Sequence, residues 1–346
     1  MIPRPPPEAL LPWALSVLDA PGGCSRPSLD AVTGDASSRR YFRFQYADHS
    51  YVAVDAPPAT EKNEAFLAVQ AILAAAGVVV PALLGADLDR GFLLLEDLGD
   101  RVLLPELVAD TVDGHYRRAF RVLDKMMAVE PKRTGLAEYD RALLSEELGR
   151  FQEWFVQGLL EYSPTATEQA LLAAVSERLI SSALEQPKTV VHRDFHSRNL
   201  MLLHDETLAV IDFQDAVVGP ITYDLVSLLR DCYVQWPSDQ VIGWALAYRE
   251  QLSARKALAK IDQALFIRWL DWMGLQRHIK VLGTFARLYL RDGKSAYLDD
   301  LPLVVHYVQE IADKYAVEEP IFNEFSCWFS RRLGPLIAQQ EWSRRL

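Results

Sequence analysis

The sequence predicts an α+β chain of two lobes, a small sheet-containing N-lobe over residues 1–99 and a larger, mainly helical C-lobe over 100–346. Three observations carry this expectation. Short apolar runs separated by turn residues occupy Tyr41 to Glu96, the pattern of paired strands. Beyond Leu98-Gly99-Asp100 the apolar residues recur instead at helical spacing, which buries one face of each helix. The chain also has 346 residues, half of them hydrophobic, enough for two or three domain-sized units.

After a helical N-terminal prefix, Tyr41 to Tyr46 and Tyr51 to Asp55 read as strands joined through Asp48-His49-Ser50. Glu61 to Ala76 has helical periodicity and stops at Gly77, a residue suited to the left-handed turn that ends many helices. Val78-Val79-Val80-Pro81 follows, and then Ala82 to Asp87 pairs with Gly91 to Glu96. Helices are expected over Pro105 to Ala128, Arg141 to Leu160, Ala166 to Leu184, Ile221 to Asp231, Gln240 to Ala254 and Asp262 to Leu290. Between them, Leu200 to Leu203 and Leu208 to Ile211 are short strands around a His204-Asp205-Glu206-Thr207 turn. A sheet lobe joined by a short link to a helical lobe leaves a cleft at the seam, where ligand sites concentrate.

Composition narrows the function. A formal net charge of -11 argues against nonspecific binding to nucleic acid, while a local patch with Mg²⁺ can still accept a nucleotide. Cys24, Cys232 and Cys327 are far apart and form no metal or redox pair. The opening Met1-Ile2-Pro3-Arg4-Pro5-Pro6-Pro7 lacks the apolar segment of a signal peptide, and no stretch approaches the roughly 18 apolar residues of a membrane span. A cytoplasmic protein with no membrane, nucleic-acid or protein partner is the expectation.

The chemistry is concentrated in His192-Arg193-Asp194-Phe195-His196-Ser197-Arg198-Asn199, followed by Val210-Ile211-Asp212-Phe213. In the kinase loop H-R-D-x-x-x-x-N the Asp orients the acceptor hydroxyl and accepts its proton, and the Asn binds Mg²⁺. Asp194 and Asn199 stand in those two places with four residues between them. The short hairpin would return Asp212 beside Asn199 as the main metal-binding carboxylate. Read singly, Asp194 starts a turn, His192 fills a core and Asp212 ends a strand; the ordered set points to phosphoryl transfer.

With those residues in view, the chain resembles the aminoglycoside phosphotransferase-like kinase superfamily over nearly its whole length. The resemblance implies a bilobal protein-kinase-like fold, with the nucleotide-binding lobe and link in 1–99 and the catalytic and acceptor-binding lobe in 100–346. That family carries H-G-D-x-x-x-x-N; here Arg193 replaces the Gly. Val54-Asp55-Ala56-Pro57-Pro58, Gly91 to Asp100, the His192 loop and Trp272 to Lys280 are most similar to the bacterial N-acetylmuramate/N-acetylglucosamine anomeric kinases. This subgroup resemblance implies ATP and Mg²⁺ as cofactors and a small amino sugar as acceptor. Its product is the sugar 1-phosphate, made for cell-wall recycling.

On the nucleotide side, Thr33 to Arg40 resembles the phosphate-facing loop, with Gly34 for the turn and Ser37 and Ser38 as donors; a plain surface turn is the other reading. Glu96 and Leu98 would offer backbone groups to adenine. Protein kinases place a phosphate-binding Lys where this chain has Asp55, so Arg43, Arg39, Arg40 or Lys62 must substitute. Arg43 ranks first, with a salt bridge to Glu61 or Glu64 as its alternative. Asp215 is a second metal candidate, and Asp224 either braces the catalytic loop or caps a helix.

On the acceptor side, His196, Arg198, Asp231, Tyr233 and Arg277 are the candidates, with Gln235, Trp236, His278 and Lys280 nearby. Arg277, His278 and Lys280 could meet a sugar or the lactyl carboxylate of N-acetylmuramate; packing and a solvated face account for the same residues. Two further functions stay open. One is a kinase for another small alcohol such as an aminoglycoside or choline. The other is a nucleotide-sensing pseudokinase, which Asp55 favours.

Overall fold

The computed structural model describes residues 5–19, 27–32, 38–253, 258 and 261–345. Two compact units emerge, one from 1–103 with 198–216 and the other from 104–197 with 217–346. This differs from the expected division at residue 99. The 198–216 hairpin joins the first unit because its backbone is hydrogen-bonded there: Leu103 N donates to Leu200 O at 2.8 Å and Val210 N to Val79 O at 2.8 Å.

The first unit opens with α1 (Leu10–Val17) and β1 (Asp30–Val32), then β2 (Arg40–Tyr46), β3 (His49–Asp55), α2 (Asn63–Ala75), β4 (Leu83–Asp87) and β5 (Phe92–Glu96). Its antiparallel sheet runs β1-β2-β3-β5-β4. The β2–β3 turn is Ala47-Asp48, not Asp48 to Ser50. Both residues have positive φ (49° and 65°), matching the tight hairpin turn whose twist suits antiparallel strands. That register sets Arg40 opposite Asp55 and Arg43 opposite Val52. Phe42, Phe44, Ala53, Phe92 and Leu94 pack with Leu10 and Ala14 of α1, so the N-terminal helix covers the sheet. The three-residue β1 was too short to announce itself.

The chain continues with α3 (Val112–Ala128), α4 (Arg141–Arg150), α5 (Ala166–Glu185) and β6 (Lys188–Val191), then the β7 (Leu200–Leu202)–β8 (Leu208–Val210) hairpin of the first unit. Next come β9 (Val217–Pro220), α6 (Tyr223–Leu229), α7 (Ser238–Ser253), α8 (Gln263–Asp292), α9 (Leu301–Lys314), α10 (Pro320–Trp328) and α11 (Gly334–Gln339). Within the second unit β6 lies antiparallel to β9, which fixes the exit of β6 at Val191. Local chemistry starts and stops the helices: Thr165 and Glu168 form a reciprocal cap on α5, Asp262 accepts from Leu265 N on α8, and Gly293 ends α8 at φ 69°.

Helix α8 is the buried centre of the second unit, with every residue from Trp269 to Gly283 inside. The expected Arg141–Leu160 helix changes pitch halfway, for Phe151–Leu159 is a π-helix. The change falls where α8 comes closest: a Cβ on Gly283 would sit 2.4 Å from Arg150 C and 2.5 Å from Phe151 N. Among the described residues no helix is long and apolar enough to cross a membrane.

This approach makes a stability prediction. Gly283→Ala forces backbone apart and should destabilise by about 1–3 kcal/mol, the usual range for overpacking. Gly243→Ala, at an exposed position of α7 with open space around it, should instead stabilise by about 0.5–1 kcal/mol. Denaturant midpoints of the two variants check the contrast.

Candidate active site

The β6 strand ends at Val191 and leads into His192, Arg193 and Asp194 of the second unit. Asp224, on the first turn of α6, accepts from His192 N at 2.7 Å and Arg193 N at 3.1 Å. It therefore braces the loop through backbone bonds, the first of the two readings given to it. His192 is fully buried and its Nδ1 accepts from Asp194 N at 3.2 Å, a local structural role. At the far end Asp231 takes Ser197 N at 2.9 Å, Ser197 Oγ at 2.6 Å and Tyr233 N at 3.2 Å. Asp231 is 1% exposed, so its carboxylate is committed to the loop and to Tyr233.

Arg193 adopts φ 78°, a left-handed backbone that glycine occupies at no steric cost. This explains physically why a glycine suits the position in the resembling family. Here the strain is offset by the side chain, which pairs with Glu147 of α4. Glu147 is 0% exposed and also takes Lys280 of α8 at 3.2 Å and the Tyr139 hydroxyl. Lys280 Nζ donates to Tyr223 OH at 3.0 Å. Burial would raise the Glu147 carboxyl, but Lys280, Arg193 and Tyr139 hold it below its ordinary value.

The same cations act on Asp194. Burial pushes its carboxyl up, yet Lys280, His196, Arg193 and Arg277 outweigh this and hold it well below the usual carboxylate range. Asp194 is thus held as a carboxylate, a group that can align a hydroxyl more than act as a strong base. Glu147 escaped the sequence reading as a member of the site, and Lys280, read there as an acceptor-side residue, is its partner. A signal was there: Glu147 stands among Leu144 and Leu148 on the buried face of α4, where a lone charge demands a partner.

In the first unit, the β7–β8 hairpin does what its sequence promised. Leu200 pairs with Val210, and Ile211 N donates to Asn199 O at 3.1 Å, so Asn199 and Asp212 leave the same end of the hairpin. Asp212 is exposed at φ 62°, with Gln214 Nε2 donating to its Oδ1 at 2.8 Å. Among the described residues no cluster of three His, Cys, Asp or Glu side chains could hold a metal. One carboxylate and one carboxamide nevertheless fit Mg²⁺, which keeps water and takes most remaining oxygens from nucleotide phosphates. Asp215, the second metal candidate, pairs with Lys62 at 3.0 Å.

Gly34 and Ser37 lie outside the described residues; Ser38 N donates to Glu61 Oε1 at 2.8 Å. Arg43 pairs with neither Glu61 nor Glu64, the alternative expected for it. Its Nε meets Asp97 at 2.7 Å and its Nη1 meets Asp100 at 2.8 Å, while Glu61 pairs with Arg39 at 3.4 Å. The register explains this: Glu96 sits opposite Tyr51 and Arg43 opposite Val52, so the chain leaving β5 brings Asp97 to Arg43. Asp55 is neutralised across the strand by Arg40, with Nε to Oδ2 at 2.8 Å. Tyr41 is pushed up to about 12 by burial and by Asp212, with Arg39 opposing, which sets Arg39 and Asp212 about one phenol. Glu96 N is used by Ala82 O at 2.9 Å, and the Glu96 side chain accepts from Ala82 N at 3.2 Å.

Of the acceptor candidates, His196, Asp231, Tyr233 and Arg277 belong to the second unit and Arg198 to the first. His196 is buried edge-on to Tyr233 with ring centres 5.2 Å apart, and burial lowers its pKa. His278 is bound to Arg230 O at 3.0 Å and stacked on Tyr307, and Lys280 is held by Glu147 and Tyr223.

A pH prediction follows from the brace. Burial raises Asp224 to about 6 despite its two backbone N–H bonds. With a folded pKa above the unfolded value of about 4, its contribution is fully present below pH 4 and is lost as pH rises through 6, about 3 kcal/mol in all. Asp224→Asn removes this dependence. Unfolding free energies measured from pH 4 to 7 should therefore move in the variant's favour, relative to the parent, as pH rises.

The geometry can be set beside known proteins. The model of the phosphotransferase enzyme family matches residues 28–262. An N-acetylmuramate/N-acetylglucosamine kinase of Pseudomonas putida is 45% identical over 284 residues, 82% of this chain and 83% of that one. A protein of the same name from Neisseria meningitidis is 39% identical, covering 85% and 88% of the two chains. Among solved structures, choline kinase LicA of Streptococcus pneumoniae has a TM-score of 0.58 at 14% identity, with 82% and 94% covered. An ADP-bound aminoglycoside phosphotransferase has 0.56 at 14%, with 86% and 98% covered. These two share the protein-kinase-like fold. The chain belongs to the phosphotransferase enzyme family.

Proposed function

We propose that the protein transfers the γ-phosphoryl group of ATP to the anomeric hydroxyl of N-acetylmuramate and N-acetylglucosamine. The products are sugar 1-phosphates that feed cell-wall recycling in the cytoplasm. What carries the acceptor assignment is the 45% identity, over 82% of the chain, to a kinase named for these two sugars. Supporting the chemistry is Asp194, kept ionised and fixed by braces at both ends of its loop.

In this reading Asp194 orients the anomeric hydroxyl and takes its proton late in transfer, as the new P–O bond forms and the bond to the ADP oxygen breaks. Mg²⁺, held by Asn199 and Asp212, would neutralise phosphate charge when bound. Glu96 C=O and Leu98 N–H take the adenine edge, because the Glu96 amide already serves the sheet. Gly34, Ser37 and Ser38 serve the phosphates. The cation replacing the usual Lys is Arg39, which shares Tyr41 with Asp212, while Arg43 is held by Asp97 and Asp100. His196, Tyr233 and Arg198 serve the acceptor; Asp231 acts by fixing Ser197.

Phosphorus NMR of the products from both sugars and from other alcohols tests the assignment. A phosphate on C1 of either sugar is expected, and Asp194→Asn should retain Mg·ATP binding while turnover falls at least about 100-fold. Robust phosphorylation of another alcohol, with neither sugar used, would reject the acceptor assignment.

A second measurement separates the cations. Arg39→Ala should raise the KM for Mg·ATP about tenfold or more, the loss of one charge-assisted contact, and Arg43→Ala much less. Nucleotide titration of both folded variants decides, and the reverse order would restore Arg43.

A further inference from the structure

Around the loop and α8 the second unit holds three buried cationic side chains, Arg230, Arg277 and Lys280, and the half-buried Arg193; all but Arg277 have carboxylate partners. Arg193 and Lys280 share Glu147, and Arg230 takes Asp271 at 3.4 Å and Glu310 at 3.0 Å. Arg277 differs in its partner: it is 2% exposed and its Nη1 meets the Cys232 sulfur at 3.2 Å, while its Nε, like those of Arg193 and Arg230, has no hydrogen-bond partner among the described residues. No carboxylate pairs with it among those residues.

An arginine cannot shed its proton to escape this situation, and a buried guanidinium without an anion is costly. Burial opposes the charge, yet the surroundings keep Arg277 firmly protonated, Asp194 among them. Cys232, which Arg277 meets, follows Asp231, whose carboxylate holds Ser197 of the loop, so Arg277 stands behind the loop that carries Asp194. His196, between Asp194 and Ser197 in the loop, adds a buried Nδ1 with no partner among the described residues. The planar fork of a guanidinium matches a carboxylate through two parallel hydrogen bonds.

We propose that Arg277 is the carboxylate-binding residue of the acceptor site, reading the lactyl carboxylate of N-acetylmuramate. This rests on the substrate reading above. The two sugars share the acetamido group and the anomeric hydroxyl; only N-acetylmuramate carries a carboxylate, on the ether at C3. Arg277 then acts on specificity: the acidic sugar satisfies the buried charge, and the neutral sugar leaves it without a carboxylate.

The test compares kcat/KM for N-acetylmuramate and N-acetylglucosamine in the parent, Arg277→Met and Arg277→Lys. The ratio favouring N-acetylmuramate should fall about 100-fold in Arg277→Met, through KM, with Arg277→Lys between. Thermal melting without ligands adds a readout that a structural role would not give. Exchanging an unpaired buried cation for an apolar chain of similar length should leave the melting temperature unchanged or higher. Should Arg277→Met fail to fold, the Lys variant still reads the ratio, because a point charge lacks the fork. An equal loss for both sugars would overturn the assignment, as would an unchanged ratio. A parent enzyme that phosphorylates neither sugar would overturn the substrate reading itself, and this assignment with it.

Discussion

The second unit depends on one buried carboxylate. Glu147 has no exposure, and removing such a group from water costs several kcal/mol unless partners replace the solvent. Arg193, Lys280 and the Tyr139 hydroxyl together do so. The arrangement ties α4 to α8 and both to the catalytic loop, because each partner comes from a different segment. It also sets the local field. With one carboxylate shared between two cations, a positive charge remains, and Asp194 stays ionised in spite of burial. The left-handed Arg193 is part of the same bargain, since its side chain reaches Glu147 only from a loop whose backbone Asp224 holds in that shape.

Much of this was legible in the residues. The β7–β8 hairpin, with Asn199 and Asp212 at its base, follows from two apolar triplets flanking a polar turn. Helices α2, α5, α7 and α8 follow from periodicity, α2 stopping just before Gly77 and α8 starting at its Asp262 cap. Three features were not legible. The π-helix at Phe151–Leu159 keeps a helical pattern of apolar residues, and its pitch coincides with a tertiary approach at Gly283. Strands β6 and β9 have four residues each, and their partners are distant in sequence. Charge pairing was harder still. Arg43 looked free for phosphate or for Glu61 because strand register, which brings Asp97 to it, cannot be counted from one strand alone.

The overall acidity of the chain conceals how its cations are used. In the first unit Arg40, Arg43 and Lys62 face Asp55, Asp97 with Asp100, and Asp215 respectively. Pairing does not by itself disqualify a cation from binding phosphate; what matters is what the pair consumes. Arg43 spends its donors on two carboxylates and Gly99 O, so a phosphate would have to displace several charge-assisted bonds at once. Lys62 and Asp215 are 73% and 41% exposed, and a pair so solvated contributes only about 0–1 kcal/mol and orients little.

Arg39 sits between these extremes. Its pair with Glu61 is buried, 1% and 10% exposed, and its guanidinium lies 5.0 Å over the Phe66 ring. A carboxylate on one edge and an aromatic face beneath fix the plane of a group that carries five donors. The kinase lysine is positioned by a glutamate in the same manner, and there the pair prepares the cation instead of neutralising it. Arg39–Glu61 has the same make-up, a cation fixed by a carboxylate, and comes from the residues just before β2 and α2. The aspartate in the lysine's usual place, matched by Arg40 across the strand, becomes a structural pair and ceases to be evidence for a dead enzyme.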